Sequence, residues 1–199
     1  TGDDYENILN NPSLEGYKSR KINVLILDDP VDSFWTSSTP QYKEKSLKSV
    51  TKGLDDLNKI DGKKKDNDSK DNKSTEPLIV LLKDQLKEKV KDVRVSSRLT
   101  DSAVCLISDE NAMDPQLEKI LQQHNQLNQE MSMKILEINP DHKLIIKLSK
   151  MSTKKVEIVN IKRIALMLFE QSKILDGEKP ADPVNFSKNI VDTIYSSLN

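Results

Sequence analysis

The stretch "GKKKDNDSKDNKSTE", residues 62–76, mixes lysine with aspartate, asparagine and serine and carries no large apolar side chain. A segment with so little to bury cannot offset the entropy of ordering it, so it is expected to be a flexible linker or a mobile loop. Stable structure must therefore form on its two sides, a small unit over 1–61 and a larger one over 77–199. With 35% hydrophobic and 32% charged residues in 199, the chain can build a core beneath a solvated, helix-rich exterior. A net charge of −1 gives no overall basic field, and no local patch suited to a phosphate polymer stands out, so no nucleic-acid partner is expected. Cys105 is the single cysteine, which excludes an intramolecular disulfide and fits a reducing compartment. No apolar run approaches the roughly 20 residues that cross a bilayer. Thr1-Gly2-Asp3-Asp4 is neither a signal nor a transit sequence, and the chain reads as a piece of a longer one. No internal repeat is present.

Before the linker, "DDYENILNN" and "SLEGYKSR" have the pattern of short helices. "INVLILDD", residues 22–29, is a continuous apolar run with β-branched residues, which predicts a strand buried on both faces. "DPVDSFW" predicts a helix capped by Asp29 with Pro30 as its first residue. After the linker, Thr75 can cap a helix from about Pro77 to Val90. "DVRVSSRL" and "AVCLIS", separated by the turn-prone Thr100-Asp101-Ser102, predict two strands paired as a hairpin, and "KILEI" predicts a third. Asp114-Pro115 and Asn139-Pro140 open further helices, and the last 45 or so residues read as helical. The class is α+β: a small α/β segment, then a small sheet with a C-terminal helical bundle.

Two places invite a chemical reading. In "ILEINPDHKLIIKL", Asn139 as cap, Pro140 in the first turn and Asp141 near the positive end of the helix dipole account for everything except His142. A catalytic or zinc site there would need His124 and Cys105, which lie in other segments, to converge on it. In "VLILDDP", Asp28 and Asp29 follow the predicted strand, as the magnesium-binding acids of receiver domains do. The expected second strand with a phosphoacceptor is replaced by the polar linker, and the bland reading is again a helix cap. No Gly-rich phosphate loop and no G-x-S-x-G elbow occurs. No catalytic, cofactor or metal residue is therefore assigned.

"LKEKVKDVRVSSRLTDSAVCLIS", "KILEINPDH" and the closing helices with "DPVNF" resemble, in that order, the C-terminal domain of the heat-shock protein 90 chaperones, nearest their bacterial form. "INVLILDDPVDSFW" followed by "SLKSVTK" is similar to the end of that family's middle domain. Ser102-Ala103 stands where the family often has Ser-Pro. The resemblance implies residues 1–61 as the end of the middle domain and 77–199 as a dimerisation domain. It implies an ATP-driven parent chaperone whose ATP and magnesium site lies in another domain, so that this stretch is no enzyme and holds no cofactor. It implies unfolded or partly folded client proteins as partners, stress response and protein folding as roles, and the bacterial cytoplasm rather than a mitochondrion as location. The ending "YSSLN" does not imply docking of tetratricopeptide co-chaperones. The alternative kept beside it is a metal-dependent, receiver-like or phosphotransfer protein built around Asp28 and Asp29.

The residues alone support a partner for the C-terminal helices. Ile158, Ile161, Ala165, Leu168 and Leu175 form one stripe over 156–175, and Ile164, Met167 and Phe169 widen it. Gly177 can end this helix, and a second from Asp182-Pro183 carries Phe186, Ile190, Ile194 and Leu198, with Val191 and Tyr195 beside them. These helices either fold back on their own domain or pair across a twofold axis into four. The resemblance implies pairing, which assigns Ile161, Ile164, Ala165, Leu168, Phe169, Leu175, Phe186, Ile190, Ile194 and Leu198 to a homodimer interface. It also matches Met113, Leu117, Ile120 and Leu121 to the family's client-contacting helix.

Overall fold

The computed structural model describes residues 1–2, 4–39, 41–52, 57, 71–126, 132–154 and 158–198. Residues 62–70 of the predicted linker lie outside these. Residues 71–76 are helical, so the helix after the linker begins earlier than the sequence suggests.

The first part contains α1 (Tyr5–Leu9), capped by Asp4, a 3-10 turn (Pro12–Leu14), α2 (Glu15–Ser19) and α3 (Asp32–Ser38). The two short helices expected from "DDYENILNN" and "SLEGYKSR" are present. The predicted strand over 22–29 is not. Residues 22–28 have no regular structure and alternate between half-buried and exposed, with Gly2 N–H donating to Leu27 at 3.2 Å. A strand exists only by pairing, and among the described residues none runs beside this one. Asp29 does accept from Val31 N–H at 3.0 Å, but as a turn, and helix α3 starts later than Pro30, at Asp32. A small exposed hairpin, β1 (Gln41–Tyr42) with β2 (Lys45–Ser46), turns at Lys43 and Glu44, both at positive φ.

The larger part holds α4 (Asp71–Leu86), β3 (Asp92–Val95), β4 (Val104–Ile107), α5 (Pro115–Gln123), β5 (Ile135–Ile138), α6 (Lys143–Ser152), α7 (Ile158–Leu175) and α8 (Pro183–Ser197). Pro77 lies inside α4 instead of starting it, and Thr75 is buried instead of exposed at a cap. An interior proline costs about 3 kcal/mol. Burial of Leu78, Leu82 and Leu86 against the sheet offsets it, at about 2 kcal/mol for each side chain.

The three strands predicted for this part all form, but not the hairpin. The order is β3-β5-β4, with β5 parallel to β3 (Asp92 opposite Ile135) and antiparallel to β4 (Val104 opposite Ile138). The reason lies at Ser96, whose Oγ accepts from the N–H groups of Arg98 and Leu99, each at 3.2 Å. That local turn ends β3 at Val95 and takes the next residues out of the ladder. Asn139 then closes the gap: its N–H donates to Ala103 and its Nδ2 to Ser102.

Alternation along β5 gives the sheet two unlike faces. Leu136 and Ile138 join Val93, Val104 and Leu106 against α4, α6 and α7, where Ile145, Leu148, Ile161, Ala165, Leu168 and Phe169 complete the main core. The other face carries Leu99, Cys105, Ile107 and Ile135 around a buried carboxylate, Glu137. Arg94 donates to its Oε1 at 3.1 Å and Ser96 Oγ to its Oε2 at 2.8 Å, and Arg98 Nε lies 3.1 Å from Oε2. Arg98 is 1% exposed and Glu137 0%, and Arg98 also donates to the Val50 carbonyl in the first part of the chain. Residues 11–16 cover this face closely: a Cβ on Gly16 would lie 2.8 Å from the Arg98 carbonyl oxygen, so only glycine fits there.

Arg98→Met is expected to lower stability by roughly 3–5 kcal/mol, because it removes one of the two guanidinium partners of a buried carboxylate. Replacing Arg98 and Glu137 together with Met and Leu should recover much of the loss. Urea unfolding of the single and double variants checks this; equal losses in both would show that packing, not charge pairing, sets the cost.

Candidate functional site

The candidate chemical residues do not converge on one place. His142 is the N-cap of α6: its Nδ1 accepts from Leu144 N–H at 3.1 Å. It takes the role expected of Asn139, whose Oδ1 accepts from Asp141 N–H one turn earlier. His124 is the C-cap of α5. Cys105 is buried in β4, and desolvation, then the neighbouring Glu137 charge, pushes its thiol well above the ordinary cysteine range, so it is poor as a nucleophile. Asp28 and Asp29 are exposed, and among the described residues no group of three or more His, Cys, Asp or Glu could hold a metal ion.

The predicted interface residues divide into two sets. Ile161, Ala165, Leu168 and Phe169 are packed into the chain's own core, on the inward stripe of α7. Ile164 and Leu175 are half-buried. A helix in a small domain must first cover its own sheet, and the most apolar stripe of α7 packs within the chain. On α8, Phe186 and Ile190 are half-buried toward α7, where Thr193 Oγ1 donates to Met167 Sδ at 3.2 Å. Ile194 and Leu198 are exposed. With them on an arc of about 100° lie Val184, Val191 and Tyr195, which the interface assignment lacked. Val184 is 80% exposed, Val191 61% and Leu198 79%. Their spacing of seven, 184, 191 and 198, is the sequence signal that could have found them.

The attachment of α8 is built at the end of α7. Gly177, at φ +76°, donates to Ile174, and Glu178 N–H donates to Lys173, which closes the helix in a Schellman turn. Lys134 Nζ lies 2.8 Å from both Asp176 and Glu178. Although burial opposes the charge on Lys134, these two carboxylates raise its pKa. Burial likewise works against the Glu178 carboxylate, and Lys134 with Lys173 holds it below the ordinary range. Asn11 Nδ2 donates to Asp176 Oδ1 at 3.0 Å, tying the first part of the chain to this turn. Glu170 accepts from Ala181 N–H, and Asp182 caps α8 through Asn185 N–H.

The second predicted surface is α5. Asp114 caps it by accepting from the N–H groups of Gln116 and Leu117, as Asp114-Pro115 implied. Met113 is exposed, whereas Leu117, Ile120 and Leu121 are half-buried on a helix that packs beside α3. Glu118 is buried and accepts from both N–H and Oγ of Ser132. Residues 127–131 of the stretch 113–133 lie outside the described residues.

What these features define is an α+β module with an exposed apolar arc on its last helix. The family model described as Hsp90 protein matches residues 1–199, and the chain belongs to that family. It is 41% identical over 202 residues to "Chaperone protein HtpG" of Roseobacter denitrificans, covering 99% of this chain and 32% of the relative. The protein of that name from Paramagnetospirillum magneticum is 40% identical over 204 residues, covering 100% and 32%, and that of Wolbachia pipientis wMel 37% over 194, covering 96% and 30%. The chain thus spans about a third of the length of these relatives.

One charged contact joins the two parts of the chain with a readable pH dependence. The Glu15 carboxylate accepts from the N–H groups of Thr100, Asp101 and Ser102, at 2.7 Å, 2.8 Å and 3.0 Å. Burial alone would raise its pKa, but these hydrogen bonds outweigh it and hold the group below the ordinary glutamate range. A carboxylate lowered on folding contributes stability above its unfolded pKa and loses it as pH falls through the folded one. Glu15→Gln should therefore cost about 1–2 kcal/mol at neutral pH. The difference from wild type should shrink as the pH falls below the ordinary glutamate range; thermal unfolding at neutral pH and through a series of acid pH values checks the sign.

Proposed function

We propose that this chain is the dimerisation end of an HtpG-type chaperone, which pairs with a second copy through α8 and contributes α5 to contact with unfolded or partly folded client proteins. Family membership and similarity to the HtpG relatives support the chaperone reading. The observation that carries the pairing is the exposed arc of Val184, Val191, Ile194, Tyr195 and Leu198 on a helix whose opposite face already packs on α7. Exposed apolar side chains at spacings of seven are a seam that a like helix can fill, and a twofold axis lets each copy cover the other. In this reading ATP and magnesium are handled by a part of the longer chaperone outside this chain, which itself performs no catalysis. The protein works in the bacterial cytoplasm.

Sedimentation of wild type across a dilution series is expected to give a dimer at tens of micromolar. Val191→Asp, which sets one carboxylate per copy in the seam, should give a folded monomer, while Ile161→Asp should unfold the chain because that side chain is core. A wild-type monomer, or a Val191→Asp dimer of unchanged affinity, would exclude pairing through α8.

Client contact is expected at Met113, whose flexible thioether adapts to unlike apolar partners. Met113→Ser in the longer chaperone should weaken suppression of client aggregation with no change in Tm. Leu117→Ser with Leu121→Ser should instead lower Tm, since both side chains are already half-buried. Unchanged aggregation kinetics in the Met113 variant would remove that residue from the contact.

A further inference from the structure

Helix α6 carries a feature that neither chaperone pairing nor client contact uses. Lys143, Lys147, Lys150 and Lys154 are all exposed. At about 100° per residue they fall within an arc of about 60° and span about 16 Å. The run extends past the helix proper because the cap residue Thr153 keeps right-handed backbone angles and Lys154 N–H donates to Met151. Opposite them, Ile145 and Leu148 are buried against the sheet, so the orientation of the stripe is fixed by the core. Among the described residues none of the four is in an ion pair, although other lysines of the chain are, Lys134 and Lys83 among them.

Four like charges at neighbouring positions on one helix face repel one another and destabilise the helix slightly. A ligand with matching negative charge would relieve this. We infer that the α6 lysine stripe docks an extended acidic segment of another protein. In an extended chain, alternate side chains on one face repeat about every 7 Å, close to the roughly 5–6 Å between neighbouring lysines on the helix. A nucleic-acid strand fits less well, because α6 exposes no aromatic ring on which bases could stack. An anionic membrane fits less well too. Ile146 is the one large apolar side chain that α6 exposes, and the helix's apolar face is spent on the core. The chain holds 31 basic and 32 acidic residues, so outside these four lysines there is an acidic excess of five, which a broad phosphate surface would meet and a narrow peptide would not.

The test is fluorescence anisotropy of the full chain with a labelled peptide of about eight glutamates, a length whose extended reach exceeds the stripe. Wild type should bind at low salt and release the peptide as salt rises. Substituting Gln at Lys143, Lys147, Lys150 and Lys154 should weaken binding at least about tenfold, because several exposed pairs add while each alone contributes little. Arg at the same four positions should retain binding. Gln at four exposed lysines elsewhere, Lys21, Lys45, Lys87 and Lys179, should bind as wild type does. Circular dichroism establishes that each variant is folded. Absence of wild-type binding, equal loss in the two Gln variants, or tighter binding of oligothymidine or phosphatidylserine vesicles than of the peptide would each overturn the inference.

Discussion

A carboxylate at the centre of a three-stranded sheet is the constraint to which the rest of this structure answers. Glu137 has no exposed surface, and an isolated charge there would cost several kcal/mol. It is tolerable because Arg94, Ser96 and Arg98 reach it from the β3 end. The pairing agrees with the topology. The Ser96 turn takes the chain out of the ladder after Val95, Arg98 then meets Glu137, and β5 rather than β4 lies beside β3. Arg98 also holds the Val50 carbonyl, so the charge that completes the sheet recruits the first part of the chain to cover it. Gly16, pressed on the Arg98 backbone, and Glu15, receiving three N–H groups of the following turn, close the same face.

The opposite face of the sheet is apolar, and satisfying it consumes the best apolar stripe available, that of α7. Consequently the last helix is left with two unlike duties. Its inner side, with Phe186, Ile190 and Thr193, leans on α7, and its outer side presents Val184, Val191 and Leu198 to solvent. The charged turn at 176–178 fixes where α8 departs, since Asp176 is held by both Lys134 of the sheet region and Asn11 of the first part. Residues 11–16 thus touch both this turn, through Asn11 and Asp176, and the turn before β4, through Glu15. Helix α6 follows the same logic from the other side: its apolar residues are fixed in the core, so its lysines have one direction in which to point.

The sequence by itself determined the element types wherever chemistry is local. The capped starts at Asp114-Pro115 and Asp182-Pro183, the stop at Gly177, the three strand segments and the short N-terminal helices depend on neighbours within a few residues, and they read correctly. The ordered likeness of several segments to the Hsp90 family was legible for the same reason, because each motif is contiguous. Tertiary structure was needed for anything that depends on a distant partner. The apolar run at 22–28 has strand composition but no described strand beside it. Pro77 was tolerated inside a helix because the sheet buries Leu78, Leu82 and Leu86 on the turns after it. His142 is a cap because Asn139 is occupied by the turn before it and by Ser102. Which side of an apolar helix is already covered was decided last of all: periodicity gives a stripe its width, but only packing chose Ile161, Ala165, Leu168 and Phe169 for the core and left Val191 and Leu198 outside.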